Sequence, residues 1–386
     1  MKSVRDRLCE KAERNKFPIM AAMELLPVCN LQCKMCYVRK SMSEVQKAGG
    51  LKDVHWWLGI AREAADMGLL YPLLTGGEPF LHPEYKEIHA GLLDMGLQVS
   101  INSNATLIDR DLARWLGKHR PLRINVTLYG ASEDSYQNLC GHGEAFQKVC
   151  NALDLLKEYD VPVKFNASIT AENVVDLDKM ISFAKNYGSP IQVATYMFPP
   201  VRRNVNDDSN SIRLSPEEAA LARVRSDYLQ NEPQWFMGQV ERFSRFIPLQ
   251  QIDFNSFANT QMHMACRAGV CSAWLDWQGN LANCGMYCSV QLNMASRSFK
   301  DCWNELVNKT ADLQYSALCA QCPNRKLCHP CVAMINNECG DQTGRPEYVC
   351  QMNQAMSRYY QEYARTYYPD MPLIYSITQD SDFCEF

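Results

Sequence analysis

Cys29-Asn30-Leu31-Gln32-Cys33-Lys34-Met35-Cys36 places three thiols within eight residues, in C-x3-C-x2-C spacing. Soft sulfur ligands this close can hold a single metal centre, and iron–sulfur clusters are ordinarily held by four cysteine thiolates. A cluster held by three leaves one iron without a protein ligand. An open metal position marks a site that binds and reacts, whereas a closed one braces the chain. A zinc ion completed by a distant ligand, or plain buried thiols, are the other readings of the same spacing.

The surroundings of the three cysteines set the fold. Residues 19–28 are mostly apolar and read as a buried strand, and the cysteines follow its end. Residues 52–67 have helical spacing, with Trp56, Ile60 and Ala64 on one side. Residues 69–75 read as a strand ending in Gly76-Gly77-Glu78-Pro79, and 83–95 as a helix. Residues 97–102 read as a strand ending in Ser103-Asn104-Ala105-Thr106, and 109–116 as a helix. Residues 122–128 form a strand ending in Tyr129-Gly130, followed by a broken helical region to Tyr159. A strand over 161–169, a helix over 174–187 and a strand over 191–197 complete the series. Alternating strands and helices predict an α/β fold, a parallel sheet with helical crossovers curled into a full or partial (β/α)6 TIM-like barrel. Such a barrel carries its chemistry at the carboxyl ends of its strands. One Gly- or Pro-containing motif there reads as a turn; four polar motifs at the same end read as a site.

Composition narrows the partners. A net charge of -4 gives no general attraction to nucleic acid or to an anionic membrane. The charged opening residues are neither a signal peptide nor an anchor, and no apolar run is long enough to span a bilayer. Eighteen cysteines without an export signal argue for metal over disulfides and for a cytoplasmic protein.

The cysteine spacing together with Gly76-Gly77-Glu78-Pro79 resembles the radical S-adenosylmethionine (SAM) superfamily over the whole barrel half, residues 1–200. The resemblance implies a [4Fe-4S] cluster on Cys29, Cys33 and Cys36 whose fourth iron is chelated by the methionine part of SAM. It implies cofactor contacts from Gly76, Gly77, Glu78 and Pro79, with Glu78 accepting from the ammonium and the glycines allowing close approach. Ser103-Asn104-Ala105-Thr106 resembles the Thr-Asn-Gly-Thr segment of relatives, so Ser103 and Asn104 would reach ribose hydroxyls, although Ala105 replaces the glycine. Met35 stands where relatives usually carry an aromatic residue near adenine, and Tyr37 completes the cofactor contacts.

Residues 201–262 read as a connector that could lie over the barrel mouth. Arg202 and Arg203 are candidates to meet a carboxylate, and a capping box at Ser215 and Glu218 starts a helix. In residues 263–386, eight of the eleven cysteines from Cys266 to Cys350 resemble the SPASM domain, a small cysteine-rich extension holding two auxiliary [4Fe-4S] clusters. By matching position Cys266, Cys271, Cys284 and Cys331 would bind the proximal cluster, and Cys319, Cys322, Cys328 and Cys350 the distal one. Cys328 and Cys331 are one residue closer together than in the family, which leaves Cys331 or Cys339 as the completing ligand. Residues 347–367 have an aromatic-rich helical pattern suited to packing. Cys9, Cys140, Cys150, Cys288, Cys302, Cys339 and Cys384 belong to no motif and read mostly as small buried hydrophobes, with Cys140 a candidate hydrogen donor or radical relay at the mouth.

The function implied is an oxidoreductase. A low-potential donor, flavodoxin or ferredoxin, reduces the cluster, SAM is cleaved to a 5′-deoxyadenosyl radical, and hydrogen is abstracted from substrate. Relatives of this type modify peptides, so a ribosomally made peptide receiving a thioether or other cross-link is the first expectation. The 18 residues before position 19 are too few for a leader-reading domain, which points to a separate leader-recognition protein. Gly285 follows Cys284 where formylglycine-forming relatives carry Asp, leaving Asp276 as a candidate base. The alternatives are radical dehydrogenation or rearrangement of a small metabolite, and a non-enzymatic electron carrier or zinc scaffold.

Overall fold

The apolar runs become short strands: β1 (Met20–Glu24), β2 (Tyr71–Thr75), β3 (Ser100–Ser103), β4 (Arg123–Thr127), β5 (Val163–Ser168) and β6 (Ile191–Ala194). This is a computed structural model in which residues 3–199, 212–257 and 266–371 are described. The strands are shorter than the runs because the last residues of each run turn into the loops that face the site. Thus Leu25 and Leu26 stay buried after β1 ends, and the peptide N–H of Gly77 donates to the Leu26 carbonyl at 2.7 Å.

All six strands pair in parallel, in the order β6-β5-β4-β3-β2-β1. Helices Val54–Asp66, Tyr85–Asp94, Arg110–Lys118, Ala145–Glu158 and Leu177–Tyr187 make the crossovers. Their starts follow from side-chain caps. Asp53 accepts from the Trp56 N–H and Asp109 from the Leu112 N–H, each at 2.8 Å. The broken helical region resolves into Glu133–Cys140 and Ala145–Glu158.

The sheet does not stop at β1. Strand β7 (Ser272–Leu275) pairs in parallel with β1, Met20 opposite Ser272, and β8 (Asn280–Cys284) and β9 (Tyr287–Asn293) continue it antiparallel. The cysteine-rich region is therefore the far wing of one nine-stranded sheet. The reason is physical: β1 would otherwise be an edge with unpaired backbone groups. The Trp274 indole N–H also donates to the buried Glu24 carboxylate at 3.0 Å.

The expected connector is mostly helical. Pro216–Gln230 starts at the Ser215–Glu218 capping box, and Pro233–Ser244 follows. Both pack on helix Glu347–Tyr367, whose Tyr360 stacks on Phe243 with ring centroids 4.9 Å apart and donates to Asp227. No described residue of 212–257 lines the cavity at the strand ends, so this segment buttresses the barrel flank and does not cover its mouth. An N-terminal helix, Val4–Asn15, was not foreseen because its strong charge hid one apolar stripe; Cys9 and Ala12 bury that stripe against Ile19 and Cys271.

Candidate active site

A cavity of about 380 Å³ opens at the carboxyl ends of β1 to β6. Cys29, Cys33 and Cys36 share its wall with Met35 and Tyr37, and Gly76, Gly77, Ser103 and Asn104 line it too. The polar groups of Asn102, Thr127 and Ser168 reach it from β3, β4 and β5. Tyr129, Tyr196, Met197, Phe198 and Met286 add aromatic and thioether side chains to its lining. Hydrogen-bond donors are aimed at the sulfurs. The Cys29 sulfur receives the Leu31 N–H at 3.4 Å and the Asn104 side-chain amide at 3.6 Å, and Cys36 receives the Arg39 N–H at 3.3 Å. Burial pushes the Cys29 thiol up to about 12, so a metal taken up here must displace its proton. Three thiols on one wall, served by donors that suit thiolate sulfur, fit a three-cysteine iron–sulfur centre.

The Gly76–Pro79 segment also packs on the chain that leads into the cysteines. A Cβ on Gly76 would lie 2.3 Å from the Leu26 carbonyl oxygen, and one on Gly77 2.2 Å from that of Val28. The glycines therefore let this loop lie against the chain leading into Cys29, in addition to bordering the cavity. Neither Glu78 nor Pro79 lines the cavity; both are buried behind it. Glu78 accepts from the Ser103 hydroxyl at 2.9 Å and from the Asn104 N–H at 2.8 Å, and its desolvation pushes the carboxyl up to about 7. Through these bonds it holds the next loop in place. The Asn104 side chain is likewise engaged: its amide donates to Asn30 and Cys29, and its oxygen accepts from Thr106. Ala105, where relatives have glycine, adopts φ 61°, the left-handed conformation that glycine tolerates best.

In the C-terminal wing the structure gathers two groups of thiols. Cys319, Cys322, Cys328 and Cys350 line one small apolar cavity together with Phe254 and Arg345. Cys331 has Cys284 and Cys266 as electrostatic neighbours, and burial pushes its thiol up to about 12. Cys271 is fully buried in the apolar cluster with Cys9, and senses Cys9 before Cys266. Cys339 senses Asp341 and Glu338, and Cys319 feels it, so of the two candidates Cys331 is the one beside Cys284. Among the described residues no three His, Cys, Asp or Glu side chains are grouped as ligands of a single metal ion.

Asp276 is not a base at the cavity: Gln278, Asn280 and Gln291 donate to both its oxygens, and it pins the β7–β8 turn. Arg202, Arg203 and Cys384 lie outside the described residues, as does the Cys288 side chain. The rim residues Tyr196, Phe198 and Met286 were missed. The first two follow β6 and were legible from the rule of strand ends, but Met286 is brought in by the β8–β9 hairpin, which no barrel pattern announces. Another link not foreseen is a buried ion pair: Glu338 accepts from Tyr196 at 2.8 Å and from Arg213 at 2.6 Å, and the guanidinium lies 4.3 Å over the Tyr348 ring.

Residues 23–184 match the Radical SAM superfamily model. The chain carries a radical SAM domain and is a radical SAM enzyme, which binds SAM and a [4Fe-4S] cluster. It is 24% identical over 336 residues to the AdoMet-dependent heme synthase of Methanosarcina barkeri, covering 84% of this chain and 94% of that one. It is 27% identical over 172 residues to the PqqA peptide cyclase of Granulibacter bethesdensis, 45% of each chain, so it spans under half of that relative. The fold is shared with Streptococcus suis SuiB bound to precursor peptide SuiA, at TM-score 0.63 and 18% identity over 90% of this chain and 79% of that one. That likeness extends across the cysteine-rich wing. No helix among the described residues is long and apolar enough to cross a membrane.

Proposed function

We propose that the chain oxidises a peptide by hydrogen abstraction, forming a cross-link such as a thioether, with Cys29, Cys33 and Cys36 holding the SAM-binding cluster. The observation that carries this is the single cavity bounded by those cysteines on one side and by Met286 on the other, whose N–H donates to the Cys284 sulfur at 3.3 Å. When bound, cluster and SAM supply one-electron cleavage of the sulfonium and a carbon radical able to take an unactivated hydrogen. The protein does the rest. Asn104 and Asn30 lock the cysteine loop to the β3 loop, and Gly76 and Gly77 bring the β2 loop against it. Asn102, Thr127 and Ser168 offer polar groups to the cavity, while Tyr129, Tyr196, Met197, Phe198 and Met286 give it apolar surface that disfavours water.

Cys266, Cys271, Cys284 and Cys331, and separately Cys319, Cys322, Cys328 and Cys350, would hold two auxiliary clusters. These would take up the second electron of a net oxidation. Arg345 beside the distal set favours its thiolates. The low-potential reductant is a flavodoxin or ferredoxin. The peptide-bound neighbour and the peptide cyclase relative support a peptide.

A second reading, a small planar metabolite, is favoured by the heme synthase relative, whose match runs nearly end to end. Anaerobic reconstitution with dithionite and SAM tests the common core: 5′-deoxyadenosine accumulates, and replacing Cys29, Cys33 and Cys36 by Ala abolishes it. Zinc in those thiols with no deoxyadenosine would sink the reading. Mass spectrometry of a short peptide encoded beside the gene, against a tetrapyrrole precursor, then separates the substrates; loss of two hydrogens from the peptide is expected.

A further inference from the structure

The strands β3, β4 and β5 that end at the cavity are apolar on one face only. In their parallel register Asn102 stands beside Asn125, and Thr127 beside Asn166. Register partners share a sheet face, and so do residues two apart on one strand. Asn102, Thr127 and Ser168 line the cavity, so Asn125 and Asn166 belong to that same inner face, one side-chain step before Thr127 and Ser168. The intervening Ile124, Val126, Phe165 and Ala167 are buried in the apolar core. Barrels ordinarily fill inward positions with bulky branched side chains; here carboxamides stand in them. Asn125 is 7% exposed, and its amide donates to the Asn102 Oδ1 at 2.8 Å. No described residue donates to the Asn125 Oδ1 or to the Asn166 Oδ1, and both atoms are buried. Buried acceptors without donors cost stability that apolar side chains in the same places would not.

We infer that the Asn125 and Asn166 carboxamides form a specificity subsite for an amide of the substrate, a peptide bond or a side-chain carboxamide, whose N–H supplies the missing donor. This rests on the reading of the cavity as the active site. The face selects by charge as well as by hydrogen bonding. Arg123, two residues before Asn125, and Lys164, its register partner, share the face, and β3, β4 and β5 contain no carboxylate. A cationic ligand is therefore repelled, and oxygens turned inward disfavour an anionic one. A neutral N–H remains. A carboxamide turned end for end presents a donor in place of an acceptor, and a substrate amide, which has both, answers either orientation. A ligand without such a group leaves the buried oxygens unpaired and is rejected for that reason. The subsite also lies away from the cysteine loop: β4 and β5 are three and four strands from β1 in the sheet, so substrate can be gripped without disturbing the contacts that hold the three thiols.

The test measures binding and needs no turnover. The full chain, reconstituted with iron and sulfide and saturated with SAM, is titrated by saturation-transfer nuclear magnetic resonance with two probes. One is N-acetylglycine N-methylamide; the other is methyl acetoxyacetate, the ester of the same shape without an N–H. The amide is expected to bind about tenfold more tightly than the ester, the weight of one hydrogen bond to a buried acceptor. Asn125→Leu and Asn166→Leu should each bring that ratio within about twofold of unity by weakening the amide alone. Asn166→Leu should also raise the urea midpoint of the chain, because it removes a buried oxygen without a partner; a lowered midpoint would mean that the carboxamide is already used inside the fold and would overturn the inference. Equal binding of amide and ester by the wild type overturns it too, as does a preference that both variants keep. So does a loss that falls on SAM affinity and spares the amide, which would give the subsite to the cofactor. If Asn125→Leu does not fold, Asn166→Leu decides alone. A chain that binds neither iron nor SAM refutes the reading of the cavity on which this rests. A chain that selects the amide yet leaves the encoded peptide unmodified keeps this inference and removes the peptide reading.

Discussion

Glu78 is a motif residue that the fold gives a second task beside the cofactor contact expected of it. The sequence places a carboxylate at a strand end; the packed loops add that Ser103, Asn104 and Phe80 donate to it. Its carboxyl titrates near 7 in the fold against an ordinary 4.5, so the folded chain binds the proton more tightly than the unfolded chain. That contribution is full below 4.5 and is lost as pH rises through 7, by about 3 kcal/mol at most. Glu78→Gln, which keeps a neutral side chain, should flatten this part of the pH profile of the apoprotein, measured as the urea midpoint between pH 5 and 8. A profile identical to wild type would show that Glu78 is ionised throughout. Gly77→Ala is a sterner case. The methyl would meet the Val28 carbonyl at 2.2 Å, so the loop must move away from the chain entering Cys29. A loss of about 1–3 kcal/mol is expected, with less iron bound per chain after reconstitution; unchanged iron would mean that this contact does not shape the cysteine loop.

At the level of elements, every barrel strand and the last helix were legible, because apolar runs with Gly and Pro stops state their own lengths. Helix Glu347–Tyr367 matched its expected bounds, since its aromatic stripe has regular spacing and Pro346 precedes it. What was not legible was pairing. Nothing in residues 272–275 says that they will lie beside β1, for strand partners distant in sequence leave no local mark. Nor could spacing foretell the tight turn before β7, in which the Arg267 carbonyl gathers the N–H groups of Val270, Cys271 and Ser272. The β1–β7 junction gives a measurable consequence. Trp274→Phe removes the indole donor to Glu24 while keeping an aromatic body, and should cost about 1.5–3 kcal/mol, as bonds to charged groups do. The urea midpoint checks it; a neutral result would assign the junction's strength to the backbone ladder alone.

Across the molecule, the cavity rim and the cysteine-rich wing are joined by the Glu338–Arg213–Tyr196 contact as well as by the sheet. Side chains of Arg213 and Glu338 are 13% and 10% exposed, so breaking the pair leaves a charge largely shielded from water. Glu338→Ala should destabilise the chain by about 3–5 kcal/mol, read from anaerobic urea unfolding. It should also loosen Tyr196 at the rim, seen as more SAM cleavage per product formed. The sequence held both residues in plain sight, but a buried pair drawn from segments 125 positions apart has no signature in either segment. The nine-stranded continuity has a last consequence for anyone dividing this gene. A fragment ending at residue 257 would keep all three N-terminal cysteines yet bare the flank of the strand that presents them. Such a half-protein should precipitate or self-associate when expressed, and co-expressing the missing half as a second chain should rescue it.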